Sequence, residues 1–422
     1  MHHFRQYLFA LTLLFCSGLS PIYAAEDNTV PLEELRLFSE VFHQIRSNYV
    51  KEVSDEQLLQ YAIEGMLSGL DPHSAWLDKE SFLSLNEMTK GEFAGIGIEV
   101  MQEGNALRII APIDNTPAQR AGILAGDILI QIDDTHLKGL SLNESIELMR
   151  GSKGSPVTLT LLRDNEKKPI EITLKRDIIK IESVKSHLIN EHYGYLRIAQ
   201  FQNNTAADAK QHLETMLKDT DNQLHGLIID LRNNPGGVLT AAVELSDAFI
   251  KQGLIVYTEG RSKESREEFF ASGEGAFTDI PIVVLINSGS ASASEIVAGA
   301  LQDHRRALIL GNSSFGKGSV QTILPVPNEN AIKLTTALYY TPLGRSIQAQ
   351  GITADIESNK ATITEQTPRL VITELNLARH LDNKKSAKKK TEPQTPAASR
   401  LLNDYQVHEA INILKAMHFS QH

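Results

Sequence analysis

Residues 281–321, PIVVLINSGSASASEIVAGALQDHRRALILGNSSFGKGSVQ, constrain the fold more than any other stretch of the chain. Ile282–Ile286 is an unbroken apolar, β-branched run, the pattern of a strand buried on both faces. Small residues then lead through 288–294 into 295–301, whose apolar spacing is helical. A second apolar strand follows at 307–310, and after it the glycine-rich loop 311–319. A strand-turn-helix junction belongs to an α/β sheet. It sets the side chains of the turn at the mouth of that sheet, beside the free N–H groups and positive dipole end of a helix, where a developing oxyanion is stabilised. The junction is therefore the candidate active site.

Ser290, Ser292 and Ser294 crowd this turn. One reading makes them caps, because Ser292-Ala-Ser-Glu295 matches the S-x-x-E capping box. A nucleophilic role instead requires a base within hydrogen-bond reach, so the choice turns on what the next loop brings back. That loop nearly spells a phosphate-binding P-loop, but Gly318 stands where Ser or Thr should follow Lys317. The β-branched residues beyond it also leave no helix to receive a phosphate. Lys317, between two glycines, can instead be held inside a cleft. There an apolar wall lowers the ammonium pKa, and a neutral amine can take a serine proton. Its plain alternative is a solvated loop lysine. Gln321 could hold the amine by a hydrogen bond or be an ordinary strand residue.

The segments Gly289-Ser-Ala-Ser-Ala-Ser-Glu295 and Ser314-Phe-Gly-Lys-Gly-Ser-Val-Gln321 resemble the catalytic signature of the carboxyl-terminal processing peptidases, also called tail-specific proteases. The spacing 317 − 292 = 25 agrees with that family. The resemblance implies a Ser-Lys dyad with Ser292 as nucleophile, Lys317 as base and Gln321 orienting the lysine. A further apolar strand, 224–231, runs into Arg232-Asn-Asn-Pro-Gly-Gly237, a corner that exposes backbone N–H groups at a helix start. The family places its oxyanion hole there, which points to Gly237, less firmly Gly236, together with the amide of Ala293. The resemblance also implies a crotonase-like α/β core and no cofactor or metal.

Residues 91–178 change to short β-branched runs between glycine turns, with a capping box at Ser141-Leu-Asn-Glu144. This stretch resembles a PDZ domain, a fold that adds an extended peptide to a sheet edge and holds its terminal carboxylate on backbone N–H groups. The amides would come from Gly95, Ile96, Gly97 and Ile98, and the side-chain pocket from Ile146 and Met149. On pattern alone the last two fit a plain helix core equally well.

The expected organisation is thus an α/β protease core at 179–367, an α+β PDZ domain inserted at 91–178, and helical regions at 26–90 and 368–422. A flexible linker is expected at 384–396, where lysines and prolines cluster. The corner Asp71-Pro-His-Ser-Ala-Trp76 reads as a turn with a packed aromatic. Residues 1–25 read as a secretory signal peptide that carries the chain's one cysteine, Cys16, and predict a periplasmic protein. A net charge of −11 argues against nucleic acid as a partner. The expected substrates are unfolded or partly folded proteins with free, nonpolar C-termini. The resemblance implies a homo-oligomer, with the N-terminal helices as a dimerisation element, and a helical-repeat lipoprotein as adaptor. Two competing functions are a Ser-His-Asp arrangement with His304 as base and a PDZ scaffold with an inactive protease domain. His304 is disfavoured because twelve residues of helix separate it from Ser292 by about 18 Å.

Overall fold

A computed structural model describes residues 31–164, 166–361, 401 and 403–420. The expected signal peptide with Cys16, most of the expected helical region 368–422 and the linker expected at 384–396 lie outside the described residues. The chain divides after Leu70 into two compact units. The first contains a helical hairpin, α1 (Leu32–Asn48) and α2 (Asp55–Ser68). The Ser54 hydroxyl caps α2 by accepting the N–H of Gln57 at 3.2 Å.

The second unit opens with the corner that sequence assigns to a turn. It is also a strand: β1 (Ala75–Leu77) pairs antiparallel with a long strand more than 250 residues away, Ala75 lying opposite Lys333. Three residues are too short a run for periodicity to register, and the pairing partner is remote. Helix α3 (Lys79–Lys90) follows, capped by Asp78 and closed by Gly91 at φ 73°. Then β2 (Glu92–Gly95) leads into the PDZ-like sheet.

That sheet holds β3 (Ile98–Glu103), β4 (Ala106–Pro112), β5 (Ile128–Ile132), β6 (Thr135–His136), β7 (Pro156–Leu162) and β8 (Ile170–Lys175), with order β3-β4-β5-β7-β8 and β6 on β5. The short helix α4 (Pro117–Arg120) and α5 (Leu142–Met149) complete it. Both halves of the Ser141/Glu144 capping box form at the start of α5. Leu107, Ile109, Leu129 and Leu159 are fully buried at its centre. The last strand, β9 (Asp177–Lys180), returns to pair with β2, so this insert is entered and left through one two-stranded ribbon.

The larger core is built on β10 (Val184–Ile189), β11 (Tyr193–Ile198), β12 (Gly226–Asp230), β15 (Ile282–Ile286), β16 (Ala307–Gly311) and β19 (Ile356–Glu357), in that spatial order. Only the β10–β11 pair is antiparallel. Every residue of β12 and β15 is buried, as continuous apolar runs in a parallel sheet require. Helices α6 (Thr205–Asp219), α7 (Leu239–Asp247) and α8 (Ala293–Asp303) contribute to the core on one face. Helix α9 (Tyr405–Ser420) covers the other with Val407, Ala410, Ile411 and Leu414. Asp404 caps its start: Oδ1 accepts the Gln406 N–H at 3.0 Å.

A second sheet combines β13 (Leu254–Gly260), β14 (Glu267–Phe270), β17 (Ser319–Val326) and β18 (Asn330–Tyr340) with β1. Strand β18 pairs with β1, β13 and β17, and so carries residues from both ends of this unit to one place.

Candidate active site

The three serines of the turn separate by environment. Ser290 is fully buried and its hydroxyl donates to the Leu231 carbonyl at 2.8 Å. Ser294 is equally buried and donates to the Asn234 carbonyl at 3.1 Å. Both stitch the turn to the corner that follows β12. Ser292 alone of the three lines an open cleft of about 480 Å³. Its backbone sits at φ 56°, ψ −115°, a sparsely populated conformation for a residue with a Cβ, at a sharp strand-to-helix bend. Strain of this kind persists only where surrounding contacts over-determine it.

The main over-determining contact is Glu295. Its carboxylate is fully buried, and Oε2 accepts the N–H of Ser292 at 2.7 Å. The same oxygen accepts the N–H of Lys317 at 2.9 Å, while Oε1 accepts Gly316 N–H at 2.7 Å and the Ser314 hydroxyl at 2.6 Å. The capping box seen in sequence is therefore only part of this residue's work. The carboxylate joins the turn bearing Ser292 to the loop bearing Lys317.

Lys317 lines the same cleft as Ser292, with Lys333 and Gln321. Burial pushes its ammonium below the ordinary lysine range, and the like charge of Lys333 pushes in the same direction; Glu295 and Asp71 oppose the shift. Gly316 at φ 90° and Gly318, whose added Cβ would lie 2.5 Å from Gln348 N, let the loop pack closely on 348–351. The residue after the loop enters β17 rather than a helix, so no helix N-terminus is available to receive a phosphate. Gln321 Nε2 donates to Ser319 Oγ at 2.9 Å and to Thr335 Oγ1 at 3.4 Å.

Tyr339 was not singled out by sequence. It is almost fully buried, its hydroxyl donates to the Lys317 carbonyl, and it also lies in hydrogen-bond contact with the Ser292 side chain. Burial and the Glu295 charge raise its phenol well above the ordinary range, so it stays a neutral donor. The only local signal for it is the strand pattern of 330–340, which says nothing about what the strand meets.

At the Pro-Gly-Gly corner the two glycines differ. Gly236 donates its N–H to Asn234 Oδ1 at 2.9 Å. Gly237 lines the cleft at φ 139°, where an added Cβ would fall 2.0 Å from the Phe201 carbonyl oxygen. Its N–H takes no hydrogen bond among the described residues, and the N–H of Ala293 is likewise uncommitted. Ala293 also lines the cleft.

Residues 192–358 match peptidase family S41, residues 94–174 a PDZ domain, and residues 20–81 the N-terminal domain of the activating protease CtpB. The chain is 44% identical over 397 residues to a carboxy-terminal-processing protease of Bartonella bacilliformis, covering 92% of this chain and 90% of that one. It belongs to peptidase family S41. This S41 chain is also 34% identical to the carboxy-terminal processing protease CtpA of Bacillus subtilis, over 83% of this chain and 74% of that protein. Among solved structures it is similar to the photosystem II D1 C-terminal processing protease, with 28% identity, 78% of this chain and 94% of that chain covered, and a TM-score of 0.46.

Two other sequence candidates lie elsewhere in this S41 chain. His304 caps the end of α8 and pairs its Nε2 with the Leu254 carbonyl at 2.7 Å, away from the cleft. In the PDZ domain, Gly95, Ile96 and Gly97 are buried; the Ile96 carbonyl accepts Ala118 N–H at 3.0 Å and that of Gly97 accepts Ile113 N–H at 2.9 Å. Ile98 begins β3, which among the described residues pairs only with β4 and leaves its other edge open. Ile146 is half-buried against the domain core, and Met149, 6% exposed, is within it.

Proposed function

We propose that this S41 peptidase is a serine endopeptidase that hydrolyses polypeptides near their C-termini with a Ser292–Lys317 dyad. One observation carries the proposal: both side chains line a single cleft, and one buried carboxylate, Glu295, holds the backbone of each. A neutral Lys317 amine takes the Ser292 hydroxyl proton as Oγ attacks the scissile carbonyl. The N–H groups of Gly237 and Ala293 receive the oxyanion. Collapse of the tetrahedral adduct breaks the C–N bond, and the Lys317 ammonium returns its proton to the leaving amine. Water then attacks the acyl ester with Lys317 again as base, releasing the new carboxylate and restoring the serine. Gln321 is a positioning residue on the Lys317 side of the cleft.

Substrates are protein C-terminal tails. The open edge of β3 is the geometry that β-augmentation uses, with Gly95, Ile96, Gly97 and Ile98 at its start as the carboxylate-binding turn and Ile146, half-buried on α5, for the last side chain. Apolar cleft residues such as Leu85, Met88, Val238 and Ile296 favour nonpolar residues at the cut. We place the protein in the periplasm, from the leader-like residues 1–25. We also propose self-association through the first unit, where Phe38, Val41, Phe42, Ile45 and Tyr49 line an apolar groove. A lipoprotein adaptor belongs to the same proposal and rests on the family resemblance alone.

The test is cleavage of an unfolded reporter ending in nonpolar residues. Ser292→Ala and Lys317→Ala should each lower kcat by about 10⁴-fold or more with the thermal transition unchanged. Tail binding without cleavage by the unaltered chain would leave only the scaffold function.

A further inference from the structure

The corner 71–77 does more than turn the chain. Asp71 Oδ1 accepts the N–H groups of His73 at 2.7 Å and Ser74 at 2.9 Å, and Oδ2 accepts the Ser74 hydroxyl at 2.7 Å. These bonds satisfy an Asx-type turn by themselves. Two more bonds leave the corner for β18: Thr335 donates its N–H to Ser74 Oγ at 3.1 Å and its hydroxyl to Asp71 Oδ1 at 3.1 Å. Thr335 stands opposite Gln321 in the β17–β18 register, and its hydroxyl receives the Gln321 amide. A continuous chain therefore runs from the Asp71 carboxylate through Thr335 to Gln321. The pairing of β1 with β18 fixes its far end.

We propose that Asp71 is a positioning residue for the reaction: through Thr335 it fixes Gln321, and its carboxylate supplies a counter-charge on the Lys317 side of the cleft. This rests on the Ser292–Lys317 proposal. The charged and titratable groups facing Lys317 are Lys333 and Tyr339 on β18, Glu295 on α8, and Asp71 and His73 in the corner. Asp71 and Glu295 favour the ammonium, whereas Lys333 and a protonated His73 oppose it. Burial, and then the Lys317 charge, likewise hold His73 below its ordinary range, with Asp71 pulling the other way. The Asp71 carboxyl is itself held low, because the hydrogen bonds it accepts outweigh its burial.

The experiment separates charge from linkage with two variants of the full chain. Asp71→Asn keeps the shape of the turn and removes the charge; Thr335→Val keeps the charge and removes the link. Removing the Asp71 charge lowers the proton affinity of Lys317, so the acid limb of kcat against pH should move down by about half a pH unit or more, with KM unchanged. Thr335→Val should lower kcat about tenfold and leave that limb where it is. An unmoved limb in Asp71→Asn, or wild-type kcat in Thr335→Val, overturns the proposal, even if either variant melts earlier. Ser292→Ala is measured alongside. Retained cleavage there removes the dyad and this proposal with it, whereas an inactive Ser292→Ala with an unmoved Asp71→Asn limb removes this proposal alone.

Discussion

Glu295 Oε2 accepts the backbone N–H of Lys317 at 2.9 Å, although 22 residues separate the two in the chain. Because the same oxygen also accepts the Ser292 N–H, the spacing between the turn bearing Ser292 and the loop bearing Lys317 is set by one buried carboxylate rather than by two independent loops. Glu295→Gln turns an acceptor for several donors into a group that presents an NH₂ to them. It should cost about 1–3 kcal/mol of stability by denaturant unfolding. It should also lower kcat on the order of 10²-fold, through misplacement of Ser292 and Lys317.

Much of this site is legible in the sequence, but unevenly. The β15 run, the turn and α8 follow from local pattern, and the glycine loop announces a confined Lys317. The serine in the cleft cannot be picked from three by pattern, because capping, tethering and nucleophilic roles all suit a small hydroxyl at a helix start. What separates them is contact with Leu231 and Asn234, some 60 residues earlier. Tyr339, the Thr335 link and β1 were illegible for the same reason: β18 brings them in across long sequence separations, and a strand's own pattern does not name its neighbours.

In the proposed dyad Lys317 acts as a neutral amine, so activity should rise with pH through its depressed pKa. Lys333→Gln removes a like charge, which lets the ammonium persist to higher pH, so the acid limb should move upward. That is opposite to the direction expected for Asp71→Asn. A pH profile of kcat for the two variants checks both signs.

Stability carries the same imprint. The folded pKa of Lys317 lies below its unfolded value, so the unfolded chain binds more protons between them and stability climbs with pH until the ordinary lysine value of about 10.4. Lys317→Met should flatten that slope, without lowering the melting temperature at pH 7. Thermal scans across pH 7–10 measure it.

Gly237→Ala places a methyl against the Phe201 carbonyl at a φ unfavourable to L-residues. It should reduce kcat by about 10²–10³-fold, the loss seen when an oxyanion donor is removed, with a smaller change in KM. Steady-state kinetics on the reporter decide it.

The C-terminal helix is tied to the corner leading to Gly237. Arg232 bonds Asp230 at 2.7 Å, Asp404 at 2.9 Å and Gln406 at 2.8 Å, and Asp230 also receives the Tyr195 hydroxyl at 2.7 Å. Arg232→Met removes the nearer of the two cations on buried Asp230, leaving only Arg197 at 3.5 Å, and should cost on the order of 3 kcal/mol. Urea unfolding gives the value.

The most direct measurement is a double-mutant cycle on reporter cleavage with Ser292→Ala, Lys317→Ala and the pair combined. A proton passed between these two side chains predicts that each single variant loses about as much kcat as the double, with all three folded. Substantial cleavage by either single variant, or losses that simply add, would contradict it.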